Sequence, residues 1–454
     1  MNENASYGER TMQAPVAFGL RTAVLTALAD ATRRDAVLRC ICLTFAVAMT
    51  TGCPANVKRD MLNGELVAAD YWTEDPAILS AGLGFDGIIG IEGLDEDTVR
   101  DAGGSWYGSL ACSNGTDPDD SMRTSAAESD GLEVLYDGPA DHADGLPIVF
   151  SWPVATETMQ HTDFEFTLTD GTTMVPASAG MYPNWELNER NTVVVFDDLG
   201  DRLSAADPDA RYPVQLAIVD DGTPLMLVGP DGIEISAVGM TWTTDATPYD
   251  SGPKLVGAKL NWLDPEPLGE AGVYGLKSGD TMPNDEASLY EGRGDFRLRM
   301  LTSGGFSPDG VTGIRPDMFA EFFRIHAVGS DGEVVLLEET GVDYAVAGGT
   351  LNIVGMSDLG PPEDGKKVFY DDCYVEDRDN YIDIVIEGDE AAARNITHLE
   401  IPALDGGYRA LYNPGGPGPE PFSGVVYTAP GPADLEPVVI ALDDPMRIDR
   451  DPVD

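Results

Sequence analysis

The chain has 454 residues, enough for two or three ordinary domains, and its 43% hydrophobic content is that of a globular protein, not of a disordered acidic tail. Asp and Glu number 79 against 27 Lys and Arg, a formal charge of −52. Bare nucleic acid is therefore excluded as a partner, because binding it needs Lys and Arg to displace the phosphates' counterions; metal ions, cationic ligands or a salty habitat are favoured instead.

Residues 1–53 read as a targeting segment. Arg21, Arg33, Arg34 and Arg39 supply a basic region, Ile41 to Met49 a short apolar run, and Thr50-Thr51-Gly52-Cys53 a small-residue processing site. The run is far shorter than the roughly 20 apolar residues a membrane-spanning helix needs. Thr50-Thr51-Gly52-Cys53 resembles the lipobox of bacterial lipoproteins, with Thr50 where that family usually has Leu. The resemblance implies that Cys53 is acylated, becomes the mature N-terminus and anchors the chain to a membrane. Thr32-Arg33-Arg34-Asp35-Ala36-Val37 also carries elements of a twin-arginine export signal, without its usual Phe.

Residues 54–131 form a tether and a Gly-rich N-terminal region that ends in the polar, acidic stretch 113–131. From there the dominant signal is period two. Phe164, Phe166 and Leu168 share one face and lead through Asp170-Gly171 into 172–175, a hairpin. Segments 214–219 and 225–228 flank Asp220 to Pro224 as a second hairpin, and 344–347 and 351–354 flank Gly348-Gly349 as a third. Further strands are expected at 132–136, 148–152, 192–196, 233–238, 296–301, 333–337, 381–386, 425–428 and 437–441. A short helix opens at Pro316, with Met318, Phe319, Phe322 and Phe323 as its packing face over 316–324, and another lies near 388–395. Glycine (51) and proline (32) supply turns at the spacing of antiparallel sandwiches. The expected fold is all-β, built of antiparallel sandwich-like domains with one or two short helices: a sandwich at 132–262, a second β-rich domain at 263–411, and a Pro/Gly linker with terminal strands at 412–454.

Motifs for catalysis are sparse. Gly82-Leu83-Gly84-Phe85-Asp86-Gly87 has the glycine spacing of a dinucleotide loop, but the strand-like Ile88-Ile89-Gly90-Ile91 follows where a helix N-terminus is required. The four histidines, His142, His161, His326 and His398, show no zinc spacing. No G-x-S-x-G elbow occurs, and Arg293-Gly294-Asp295 is an adhesion-type tripeptide at an expected turn. A carboxylate pair for glycoside hydrolysis carries no signal among 79 acids.

Cys40 and Cys42 fall inside the targeting segment, which leaves Cys112 and Cys373 in the mature body. One disulfide in an oxidising compartment is the expectation, and two buried thiols the alternative. Closing so long a loop is worth about 5 kcal/mol in the chain-entropy model. Around Cys373 stand Asp371, Asp372, Glu376, Asp377, Asp379 and Asp383. The spacing Asp377-x-Asp379-x-x-x-Asp383 offers hard oxygen ligands as calcium loops do, although the glycine and terminal Glu of the EF-hand are missing. A disulfide to Cys112 brings in the acidic loop of Asp117, Asp119 and Asp120, and like charges held together favour a bound cation. A calcium site of Asp371, Asp372, Asp377, Asp379 and Asp383 beside the disulfide is therefore expected.

The functional expectation is an exported, lipid-anchored protein of the cell envelope or cell surface with a binding, adhesive or structural role. Its partners are the membrane, through Cys53, and an extracellular ligand or envelope component, with no nucleic acid. The alternative is a secreted, carboxylate-dependent hydrolase acting on glycans.

Overall fold

The computed structural model describes residues 64–451, apart from 83, 113–119, 121–122, 130–131, 133–135, 137, 139–140, 142, 185, 202, 204, 250–251, 264–289, 291, 306, 358–370, 375–379, 404–410 and 412–432. Cys53, Asp117, Asp119, Glu376, Asp377 and Asp379, and the strand expected at 425–428, lie outside the described residues.

The fold is all-β, as the period-two patterning predicts. The first half runs β1 (Leu66–Asp70), β2 (Ile78–Ser80), β3 (Phe85–Ile91), helix α1 (Glu96–Asp101), β4 (Ala127–Glu128), β5 (Ala143–Phe150), β6 (Phe164–Leu168), β7 (Thr173–Met174), β8 (Ser178–Gly180), β9 (Thr192–Asp197), β10 (Pro213–Ile218), β11 (Met226–Gly229), β12 (Ile233–Ser236) and β13 (Thr241–Thr243). One sheet has the order β4-β3-β5-β9-β8, with β2 also on β5, and it faces a sheet of order β13-β10-β6-β7 and the β11-β12 pair. Leu146, Ile148, Phe150, Val193 and Val195 of the first meet Phe164, Phe166, Leu168, Leu216 and Ile218 of the second in one core. Burying each such side chain contributes about 1.5–3 kcal/mol.

The second half contains β14 (Leu255–Trp262), β15 (Phe296–Thr302), helix α2 (Phe319–Phe322), β16 (Arg324–Val328), β17 (Val334–Leu337), β18 (Asp343–Val346), β19 (Gly349–Ser357), β20 (Tyr381–Gly388), helix α3 (Glu390–Ala393), β21 (Ile396–Ile401), β22 (Asp434–Pro437), β23 (Val439–Ile440) and β24 (Arg447–Arg450). A six-stranded sheet of order β18-β19-β20-β15-β14-β23 packs on a four-stranded one, β17-β16-β21-β22. Their core holds Leu260, Leu298, Met300 and Ile384 against Ile325, Leu399 and Ile401, with Phe319 and Phe322 of α2. β14 thus belongs to the second core, although it precedes the Pro- and Gly-rich stretch. The last strands tie the halves together. β22 joins the smaller sheet, β23 runs parallel to β14, and β24 pairs antiparallel with β1, Asp70 opposite Arg447.

Two hairpins form where the sequence predicts them, β6-β7 and β18-β19. The third does not. β10 pairs with β6, placing Leu216 and Ile218 opposite Phe166 and Phe164, whereas β11 pairs with β12. The intervening Asp231 and Gly232 both have positive φ, the conformation of the tight primed turns that suit two-residue hairpins. Leu132 and Tyr136, expected in a strand, are helical and buried; their i, i+4 spacing fits one helical face. The helix expected from Pro316 begins only at Phe319, because the Pro316 carbonyl accepts a hydrogen bond from Met356 N of β19 (3.1 Å).

Candidate functional site

β14, β15 and β20 alternate apolar and polar residues yet are buried along nearly their whole length on both faces. Leu260, Leu298, Met300 and Ile384 point into the second core. The opposite face carries Lys259, Asn261, Arg297, Arg299, Tyr381 and Asp383, residues that a one-sided antiparallel sheet would show to water. Here they and the adjoining Asn380 meet Asp70, Tyr71 and Trp72 at the end of β1, Asn184, Glu189, Asn191 and Thr192 ahead of and at the start of β9, and Met446 and Arg447 at β24.

Asp70 lies at the centre of this layer and is completely buried. Its Oδ1 is 2.6 Å from Lys259 Nζ and 3.5 Å from Arg447 Nε, and its Oδ2 is 3.3 Å from both Arg297 Nη2 and Arg299 Nη1. Arg299 donates from Nε to Asp383 Oδ1 (2.8 Å) and from Nη2 to Asp383 Oδ2 (2.9 Å), and Nη2 is 3.0 Å from Glu189 Oε1. Lys259 also donates to the carbonyls of Tyr71 (3.1 Å) and Met446 (2.8 Å). Its Nζ lies 5.1 Å from the Trp72 ring centroid, a cation-π distance. Burial alone would raise the Asp70 pKa, but Lys259, Arg297, Arg447 and Arg299 outweigh it and hold the carboxyl well below the usual range. Burial pushes the Lys259 ammonium down to about 8 against the pull of Asp70, which leaves it charged at neutral pH.

A polar stitch continues the layer. Asn184 Nδ2 and Thr192 Oγ1 donate to Asn380 Oδ1 (2.7 and 3.2 Å), Asn380 Nδ2 donates to the Thr302 carbonyl (2.7 Å), and Tyr381 Oη donates to Asn191 Oδ1 (2.9 Å). Asp70, Lys259, Glu189, Arg297, Arg299, Asp383 and Arg447 each have an opposite charge within 3.5 Å, an arrangement suited to fixing the two sandwiches in one relation.

Cys112 and Cys373 form a disulfide, their Cα atoms 5.2 Å apart. Beside it, Asp372 Oδ2 accepts from Ala111 N (3.0 Å) and Asp371 Oδ1 from Cys373 N (3.0 Å). Asp371 and Asp372 therefore stand at the bridge, while Asp383 lies in β20 with its carboxylate engaged by Arg299 and Arg297. Of the second acidic loop, Asp120 is described and exposed. Among the described residues, no group of three or more His, Cys, Asp or Glu side chains has the geometry to hold a metal ion. The glycine run at 82–87 enters strand β3. Arg293 and Asp295 brace β20, through Glu387 Oε2 (2.8 Å) and Gly388 N (2.9 Å) respectively.

Three acids have raised pKa values, Asp163, Glu436 and, through burial, Asp434. Burial lifts Asp163 to about 6, against a hydrogen bond from Gln160 N that works to lower it; the residue caps a short helical turn ahead of β6. Glu436 on β22 is pushed to about 7 by burial, reinforced by the charge of Asp434. The buried charge layer was missed from sequence, where its trace is the alternation of cations with apolar residues in Phe296 to Met300 and the presence of a lysine in an otherwise apolar strand, Leu255 to Leu260. Compared with known proteins, the chain matches no family model, no curated protein and no solved structure.

Proposed function

We propose that the chain is an exported, lipid-anchored protein of the cell envelope or cell surface, held to a membrane by Cys53, whose β body has a binding, adhesive or structural role toward an extracellular ligand or envelope component. The observation that carries this reading is the Cys112–Cys373 bridge, which joins positions 261 apart; structural disulfides persist in oxidising compartments and are rare in the cytosol. The interlocked charge layer supports a structural or binding role, because its ionic groups are spent on one another.

Fractionation of cells expressing the full chain tests the proposal. The parent is expected to sediment with membranes and to incorporate labelled palmitate, and Cys53→Ser to do neither. Equal behaviour of the two would overturn the anchor, and recovery of Cys112 and Cys373 as free thiols from freshly lysed cells would overturn export.

Calcium is proposed as a stabiliser of the loop beside the bridge, with Asp371, Asp372, Asp377 and Asp379 as oxygen donors; Asp383 is committed to Arg299. A ligand that binds only the folded state raises the melting temperature by mass action. Millimolar calcium is thus expected to raise it at fixed ionic strength, and Asp377→Asn with Asp379→Asn to abolish the rise. A rise in molar monovalent salt alone would assign the acid excess to salt adaptation.

A further inference from the structure

On the four-stranded sheet of the second sandwich, β16 and β21 place His326 directly opposite His398. Side chains so paired on antiparallel strands have Cβ atoms about 4.5–5.5 Å apart, and the two rings meet edge to face with centroids 6.1 Å apart. Both residues are partly exposed. His326 Nε2 is hydrogen-bonded to Oε2 of Glu400, a residue only 1% exposed. Arg324 grips the same carboxylate through Nε and through Nη2, the latter 2.5 Å from Oε1. Burial by itself would raise the Glu400 pKa, but the hydrogen bonds from Arg324 and His326 hold it below its ordinary value.

A carboxylate only accepts, so the proton of this contact belongs to Nε2 and, in the neutral ring, the lone pair is left on Nδ1. That is the arrangement by which a carboxylate orients a metal-binding histidine and fixes its tautomer. Among the described residues no hydrogen bond engages the His398 ring. Glu338, its Oε1 3.6 Å from Arg324 Nη1, adds a second carboxylate, so the row around the two rings has more acid than base. Neighbouring imidazoles, one backed by a fixed carboxylate, on a negatively charged and accessible sheet face suit a borderline transition metal; calcium would take oxygen ligands instead.

We propose that His326 and His398 together bind a divalent transition-metal ion of the Zn2+ or Cu2+ class, with Glu400 as the residue that positions His326 and water completing the coordination. The site is distinct from the acidic loop at the disulfide and from the proposed anchor.

Calorimetric titration of the full, untagged chain with Zn2+, in a buffer whose excess Ca2+ and Mg2+ occupy oxygen-only sites, is the first measurement. One saturable site is expected, weakened about tenfold or more by His326→Gln or His398→Gln and about 10- to 100-fold by Glu400→Gln. Because Glu400→Gln breaks a buried ion pair, His398→Gln at a partly exposed position carries the decision, with a thermal melt to verify that it folds. With Cu2+, the electron paramagnetic resonance spectrum of the parent is expected to show hyperfine coupling to two imidazole nitrogens, and that of His398→Gln to one. Unchanged Zn2+ affinity in His398→Gln, or no saturable uptake by the parent at micromolar metal, would overturn the proposal.

Discussion

Four cations stand within 3.5 Å of the Asp70 carboxylate, whereas Glu436 shares its strand face with Asp434. Both acids are drawn out of water, which by itself favours the neutral form; the neighbours decide, holding Asp70 ionised and pushing Glu436 to about 7. For Glu436 the folded state keeps its proton to higher pH than the unfolded chain, whose glutamate titrates near 4.5. Its contribution to stability is therefore complete below about pH 4.5 and is lost as the pH rises through about 7. Glu436→Gln is expected to match the parent near pH 4 and to exceed it at pH 8, as read from urea midpoints at the two pH values. Residue chemistry of this kind is poorly legible in sequence. The acids from Asp371 to Asp383 look alike as a string, but the start of β20 divides them: Asp371 and Asp372 turn toward the bridge, and Asp383 faces Arg299 across the sheet.

At the scale of elements the alternation of side chains was legible and the partner of each strand was not. Phe164 to Leu168 and Asp343 to Val346 turn into their neighbours by local hairpins. β10 instead takes β6 as a partner, because cross-strand contact of Leu216 and Ile218 with two phenylalanines outweighs a local turn. Period two also identifies two faces of β14, β15 and β20 without saying that the polar one is covered. The covering element approaches closely: a Cβ on Gly257 would lie 2.6 Å from Trp72 Cε3, so the absence of a side chain in β14 is what lets Trp72 lie against the sheet. Gly257→Ala is expected to destabilise the protein by about 1–3 kcal/mol in equilibrium denaturation, the usual penalty for overpacking, and to shift tryptophan emission as Trp72 moves.

Across the whole molecule, two hydrophobic cores that would each suit a separate domain are joined through a layer of buried charge and amide groups. Breaking a buried ion pair by removing one partner costs about 3–5 kcal/mol, because the remaining charges are left uncompensated. Asp70→Ala leaves Lys259, Arg297 and Arg447 without their nearest carboxylate. The parent is expected to unfold in a single transition, and Asp70→Ala to separate it into two, one for each core, in calorimetry and in urea. Two transitions in the parent would show that the layer does not couple the sandwiches.

The pairing of β1 with β24 also sets an order of events during biosynthesis. Ala68 N donates to Asp449 Oδ1, a contact between positions 381 apart, and Asp70 meets Arg447 in the same ladder. At a ribosomal rate of about 5–20 residues per second, the first strand waits roughly 20–80 s for its partner to be made. Until then β1 lacks its ladder partner, and Asp70 lacks Arg447, the last of its four cations to be made. A chain built this way reaches its final form only when β24 arrives.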